Sequence, residues 1–187
     1  MRTLGGQLAR IAAPALAVLV LAGAVPAAQA GSRQELDAQV REAVQNLYRS
    51  SSAAKELVEK ASGVLVFPRI IQAGIGIGGG FGEGALLLGE HTVDYYNIAS
   101  ASIGLQLGVQ EKSVAIIFMT ADSLAKFRES HGWKAGVDGS IAIATLGAGK
   151  ELDTETLRKP IIGFVYSDKG LMFNLSLEGS KITRIEK

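Results

Sequence analysis

Few stretches of this 187-residue chain could do chemistry, and each of them is incomplete. Gly74-x-Gly76-x-x-Gly79 spells the glycine spacing that cradles a dinucleotide pyrophosphate. "GAGK" at 147–150 mimics the end of a phosphate loop, but Glu151 stands where a Ser or Thr is needed and Ala144 where the leading glycine belongs. His91 and His131 lie forty residues apart and make no helical zinc pair. Ser130 adjoins His131, yet successive side chains do not meet productively, and no G-x-S-x-G elbow exists. "ELDTETLRK" carries three acids without the glycine and spacing of a calcium loop. "NLS" at 174–176 is a glycosylation sequon inside a predicted strand. These failures point to a protein that is not an enzyme and uses no cofactor or metal.

The glycine run has another reading. Gly74, Gly76, Gly78, Gly80, Gly82 and Gly84 fall on one parity, while Ile75, Ile77, Gly79, Phe81, Glu83, Ala85 and Leu87 hold the other. Alternation belongs to strands, and "ALLLGEHTVDYYNI" follows with more strand character and no helix start for an anion to meet. The expectation is an extended strand with one side-chain-free face. Such a face costs backbone entropy, so something should use the space. Either a helix or second sheet packs closely there, or an acyl chain or another backbone lies in a shallow groove. Gly104 and Gly108 would extend the smooth surface if their strand is a neighbour.

The elements around it follow from periodicity. Ser32 and Glu35 read as a capping box, and Leu36, Val40, Ala43, Val44 and Leu47 make one apolar stripe. "SSS" at 50–52 interrupts that stripe, and Ala54, Leu57, Val58 and Ala61 resume it, so 33–62 holds two helices or one kinked one. Strands then dominate. "VLVF" ends at Pro68, "TVDYYNI" and "SIGLQLGV" follow, and the wholly apolar "SVAIIFM" predicts a central strand buried on both faces. A short helix capped by Thr120 turns Leu124, Ala125 and Phe127 inward, and "SIAIATLG" predicts another strand. "PIIGFVY", "LMFNLSL" and "KITRI" form a meander through the turns "SDKG" and "EGS". The fold class is α+β, with N-terminal helices packed on a largely antiparallel, glycine-rich sheet or partly closed barrel.

Residues 1–30 have the layout of a secretory signal peptide: Arg2 and Arg10, an apolar stretch, then "AQA" before the expected cleavage after Ala30. Residues 31–187 are then a single domain, exported and periplasmic. "LAGA" at 21–24 would be a lipoprotein box with cysteine at Ala24, but the chain has no cysteine, so acylation there is excluded. Seventeen of the 19 basic residues and all 18 acidic ones lie in 31–187, a formal charge of −1 and no footprint for nucleic acid. "FRESHGWKAG" at 127–136 sets the single tryptophan beside Arg128, His131 and Lys134. An indole flanked by cations suits a headgroup layer, and the alternative packs Trp133 against a sheet edge.

Three blocks carry a resemblance. "AKELVEKASGVLVFPRIIQAGIGIGGGFGEGALL" resembles the start of the SYLF lipid-binding domain: a helix ending in A-x-G, an apolar strand ending in F-P, then a glycine-rich segment. "SIGLQLGVQEKSVAIIFMT" is similar to that family's next block, and "GLMFNLSLEGSKI" to its closing strand and turn. The three occur in the expected order across roughly 53–185. The resemblance implies a non-enzymatic module that binds phospholipid membranes. Eukaryotic relatives recognise phosphoinositides and some engage actin, whereas bacterial relatives are exported.

The function expected is therefore a peripheral phospholipid-binding module of the bacterial envelope. Arg69, Lys134 and Lys60 are the candidate headgroup contacts and Trp133 the interfacial anchor. Two alternatives stand beside it. One is an envelope protein that uses the 33–47 stripe and the glycine face for a protein partner or self-association. The other is a carrier enclosing an acyl chain beside the glycine strands.

Overall fold

The computed structural model describes residues 32–144, 154–167, 170–171 and 177–187, with the backbone alone at 75–77, 102–108, 154 and 171. The leader at 1–30, "GAGK" and the sequon lie outside the described residues. Residues 31–187 form one compact unit.

Helix α1 spans Arg33–Ser50 and α2 spans Ser52–Lys60. Ser51 makes two helices out of one stripe. Its extended backbone closes α1 by donating N–H to Leu47, while its Oγ opens α2 by accepting from the Ala54 N–H at 3.1 Å. At the start of α1, Ser32 Oγ accepts from the Glu35 N–H at 3.2 Å. The Glu35 carboxylate accepts from Gln39 at 3.4 Å.

Two long strands follow, β1 (Gly63–Leu88) and β2 (His91–Phe118), paired antiparallel along their whole length through the turn at Gly89. A straight 26-residue strand would reach about 85 Å, whereas a domain of this size has a radius of gyration of roughly 15 Å. The ribbon must therefore bend. Pro68 does not end β1 as expected; it sits where the register shifts between Phe67 and Ile70, so no ladder bond is asked of its missing N–H. Ser113 Oγ donates to the Pro68 carbonyl at 2.7 Å. Further on, β2 takes three residues (105–107) to pass one of β1 (75), between the pairs Gly74↔Gly108 and Gly76↔Gly104. The strand with the longer path runs round the outside of the bend.

The remaining elements are α3 (Ala121–Glu129), β3 (Trp133–Lys134), β4 (Ala142–Ile143), α4 (Thr154–Leu157), β5 (Ile161–Ser167), β6 (Gly170–Leu171) and β7 (Lys181–Ile185). Strand β5 pairs with Ser113–Phe118 of β2, and β7 pairs with Tyr95–Ala99 of the same strand. Of the expected meander, β5 and β6 pair antiparallel, residues 172–176 of the middle strand lie outside the described residues, and β7 docks on β2 at a site that the bend separates from that of β5. Among the described residues the result is a seven-stranded, mostly antiparallel sheet curled into a half-barrel, in which β4 and β5 pair parallel.

Alternating side chains send two cores to opposite faces. Leu36, Val40 and Leu47 of α1 and Leu57 of α2 cover Val64, Val66, Ala115, Ile117 and Phe164. Tyr166 donates its hydroxyl to the Ala43 carbonyl at 3.1 Å and fastens α1 to β5. On the other face, Leu124 and Phe127 of α3 meet Leu65, Phe67, Ile116 and Phe118. Thr120 caps α3 as its position predicts, but Ala125 is exposed. Ser123 is buried in its stead and donates to the Thr120 and Pro160 carbonyls. Val114–Phe118 is fully buried between β1 and β5, as expected of the apolar run.

Candidate functional site

The bend of the β1–β2 ribbon is where the sheet faces solvent with apolar side chains. Phe81 is 52% exposed, Ile71 45% and Val109 73%. Ala73 pairs with Val109, Ile71 with Glu111 and Phe81 with Ala99, so these side chains share the outer surface of the two limbs. Val109 and Gln110 are successive strand residues pointing to opposite sides, and both are exposed. The β2 side of the ribbon is thus exposed on both faces there, while Gln72 opposite Gln110 is buried; the stretch 70–82 with 98–110 is called the arm. No charged residue occurs over 70–82 or over 98–110.

The glycines shape this arm and then close it. Gly74 pairs with Gly108 and Gly76 with Gly104, which joins the two glycine strands as neighbours at the bend. Past it, the second limb of β1 lies against the backbone of the first. A Cβ at Gly82 would sit 2.5 Å from the Arg69 carbonyl oxygen, and one at Gly84 would sit 2.6 Å from the Phe67 ring. At Gly80 it would meet Ser100 Oγ at 2.7 Å. The smooth face at Gly80, Gly82 and Gly84 is therefore filled by close packing, and what fills it is neither a helix nor a second sheet but β1 itself. The backbone at Gly74, Gly76 and Gly78 lies in the arm.

The four side chains singled out for lipid contact separate. Arg69 is exposed at the foot of the first limb and pairs with Glu111 at 2.9 Å. It lines a cleft of 210 Å³ shared with Gln39 and Asn46 of α1. Lys134 is exposed and pairs in register with Lys181, which is itself opposite Ala99 at the foot of the second limb. Arg69, Lys134 and Lys181 thus surround the base of the arm. Lys60 ends α2, beside the Gly63 end of β1, about 36 Å of strand away from the bend.

Trp133 requires a correction. It is 3% exposed, in the core beneath α3, with its ring 5.8 Å from Phe127 in an edge-on arrangement. The close approach of Gly139, where a Cβ would meet the indole at 2.8 Å, seals it from the other side. An interfacial anchor it is not. The neighbouring Arg128 also turns inward, to Asp94.

Asp94 carries no local signal within the strand-like "TVDYYNI". Its buried carboxylate takes Arg128 of α3 at 3.0 Å and, on its other oxygen, Arg184 of β7. It borders a cleft of 460 Å³ that also holds Arg33, Asp37, Arg41 and His91. Charges there already answer one another: Asp37 accepts from Thr92 and Tyr95, and Arg33 lies 5.4 Å over the Tyr95 ring. Burial raises the Tyr95 and Tyr96 hydroxyls above their usual range and lowers the Lys112 ammonium, two residues beyond Gln110, below its own. Among the described residues no group of His, Asp and Glu could hold a metal ion. No described helix is long and apolar enough to cross a membrane.

The Ysc84 family model, whose description is "Las17-binding protein actin regulator", matches residues 99–187. Over this range the chain is similar to the SYLF family, consistent with the resemblance of its sequence blocks. The match takes in the outer limb of the arm from Ala99, then β5, β7 and the turn between Leu177 and Ser180. These contain the second and third SYLF-like blocks, and the glycine-rich first block precedes the matched range. No curated protein matches the chain.

Proposed function

We propose that this SYLF-like domain is a non-enzymatic phospholipid-binding module that docks reversibly on a membrane surface of the bacterial envelope after export of residues 31–187. The observation that supports it most is the exposed apolar surface of Ile71, Phe81 and Val109, with cations at its base. Apolar side chains that a lone domain leaves in water mark an interaction surface. Cations beside them would meet lipid phosphate at about 1 kcal/mol each near an anionic surface. Balanced overall charge makes that contribution secondary, so binding to zwitterionic lipid should persist.

The alternatives lose their surfaces. The 33–47 stripe suggested for a protein partner is buried on the sheet, and Gly80, Gly82 and Gly84 are covered. The acyl-carrier reading gains nothing from the two clefts described, whose walls are mainly charged and polar. Actin appears in the description of the family model and is not carried to a protein expected outside the cytoplasm.

Co-sedimentation with anionic and zwitterionic vesicles tests the reading. Arg69→Ala and Lys134→Ala should each weaken binding to anionic vesicles about fivefold, and Lys60→Ala should not. Equal losses at all three positions would place the headgroup contacts elsewhere.

A further inference from the structure

Resting on that membrane-binding reading, we infer that the β1–β2 arm itself enters the headgroup layer of a phospholipid bilayer, with Phe81 and Val109 as the inserting side chains. Charge placement separates this arm from an ordinary solvated hairpin. Exposed ribbons are normally kept soluble and unpaired by Lys, Glu or Pro along them. Here 70–82 and 98–110 contain none of these, and charged residues begin again at Arg69, Glu83, Glu111 and Lys112. A charge-free projection with Arg69, Lys134 and Lys181 at its foot matches the layering of a bilayer surface, apolar inside and phosphate outside.

Depth follows from the backbone. The outer edge of β2 is paired to β7 only through Ala99 and to β5 only from Ser113, so 100–112 has no strand partner on that side among the described residues. Those N–H and C=O groups would be unsatisfied in hydrocarbon, which offers nothing to bond them. The arm therefore stops at the level of glycerol esters and water, which can hydrogen-bond it. Phe81 and Val109 lie on the outer faces of the two limbs, on either side of the glycine bend. A protein partner would more readily be met by a mixed apolar and charged rim.

The absence of cysteine makes the test direct. Val109→Cys and Val93→Cys place the same environment-sensitive fluorophore at two exposed valines of β2, one on the arm and one near the hairpin turn. Each labelled protein is mixed with phosphatidylcholine and phosphatidylcholine–phosphatidylglycerol vesicles, with and without shallow nitroxide-labelled lipid. Expected is a blue shift and quenching at position 109 and neither at 93. In parallel, Phe81→Asp, checked for folding by circular dichroism, should bind about tenfold more weakly. Protein that sediments with vesicles while position 109 stays silent would overturn the arm and leave membrane binding standing. No sedimentation with any vesicle would remove both. A response at 109 that grows with protein concentration in the absence of vesicles would assign the arm to a second copy of this chain and overturn the inference.

Discussion

Asp94 ties together three stretches that sequence order keeps apart: β2 by its own backbone, α3 through Arg128 and β7 through Arg184. Beneath them Phe127 stacks among Tyr96, Phe118 and Trp133 with ring centroids 4.8 to 5.8 Å apart. Trp133→Ala should cost about 3–5 kcal/mol in urea unfolding, as large aromatic deletions from a core do. The emission of the wild-type indole should stay that of a buried ring when vesicles are added; a vesicle-induced shift would return Trp133 to the surface. The one tryptophan beside cations suggested an interface because residue type alone carries no depth. What decides its burial is the β3–β7 pairing and the approach of Gly139, neither of which leaves a local mark in "FRESHGWKAG". The glycines were more legible, since parity is a property of a strand. Gly84→Ala drives a methyl into the Phe67 ring and the Val66 backbone and should cost about 1–3 kcal/mol. Gly79→Ala meets only Ser100 O at 3.5 Å, an ordinary contact, and should stay within about 0.5 kcal/mol. Equal denaturation midpoints for the two variants would contradict the self-packing of β1.

At the scale of elements, local signals were read well where one residue decides the geometry. Ser51 breaks the N-terminal stripe by serving as the end of one helix and the cap of the next, and the "SSS" interruption announced it. The length of β1 and β2 was hidden by Pro68 and the glycines, which ordinarily punctuate strands. Here they fall at register shifts and a bend, so the ribbon passes through them without ending. The docking of β5 and β7 on different halves of β2 follows from that bend, so a meander read from turn residues alone could not foresee it. The arm could have been suspected from the missing charge over 70–82 and 98–110. Exposure, however, needed the fold, because an uncharged alternating strand is equally fit for a core.

The whole molecule responds to alkali through its tyrosines. All four, Tyr48, Tyr95, Tyr96 and Tyr166, have hydroxyls raised above the ordinary value of 10.0, with burial the largest cause in each. A raised folded value means the folded chain holds its proton where the unfolded chain loses it. Their contribution is complete below about pH 10 and is lost as pH rises through the folded values. Lys112 acts in the opposite sense: the penalty for its buried charge is present at neutral pH and disappears as pH rises toward 10.5. Four groups outweigh one, so phenolate absorbance and loss of circular dichroism should appear together, above pH 10. Phenolate absorbance that titrates near the ordinary value with the dichroism intact would contradict the burial of these rings.

With the helix stripes, Gly80, Gly82, Gly84 and Trp133 committed to packing, the proposed function rests, among the described residues, on the arm and the cations at its foot. Flotation of the purified protein with phosphatidylcholine vesicles on a density gradient asks most directly whether that surface meets lipid. Co-migration with the vesicles, retained at raised salt and lost in Phe81→Asp, is the expected result. Protein that stays at the bottom of the gradient with every vesicle composition, anionic ones included, would contradict membrane docking.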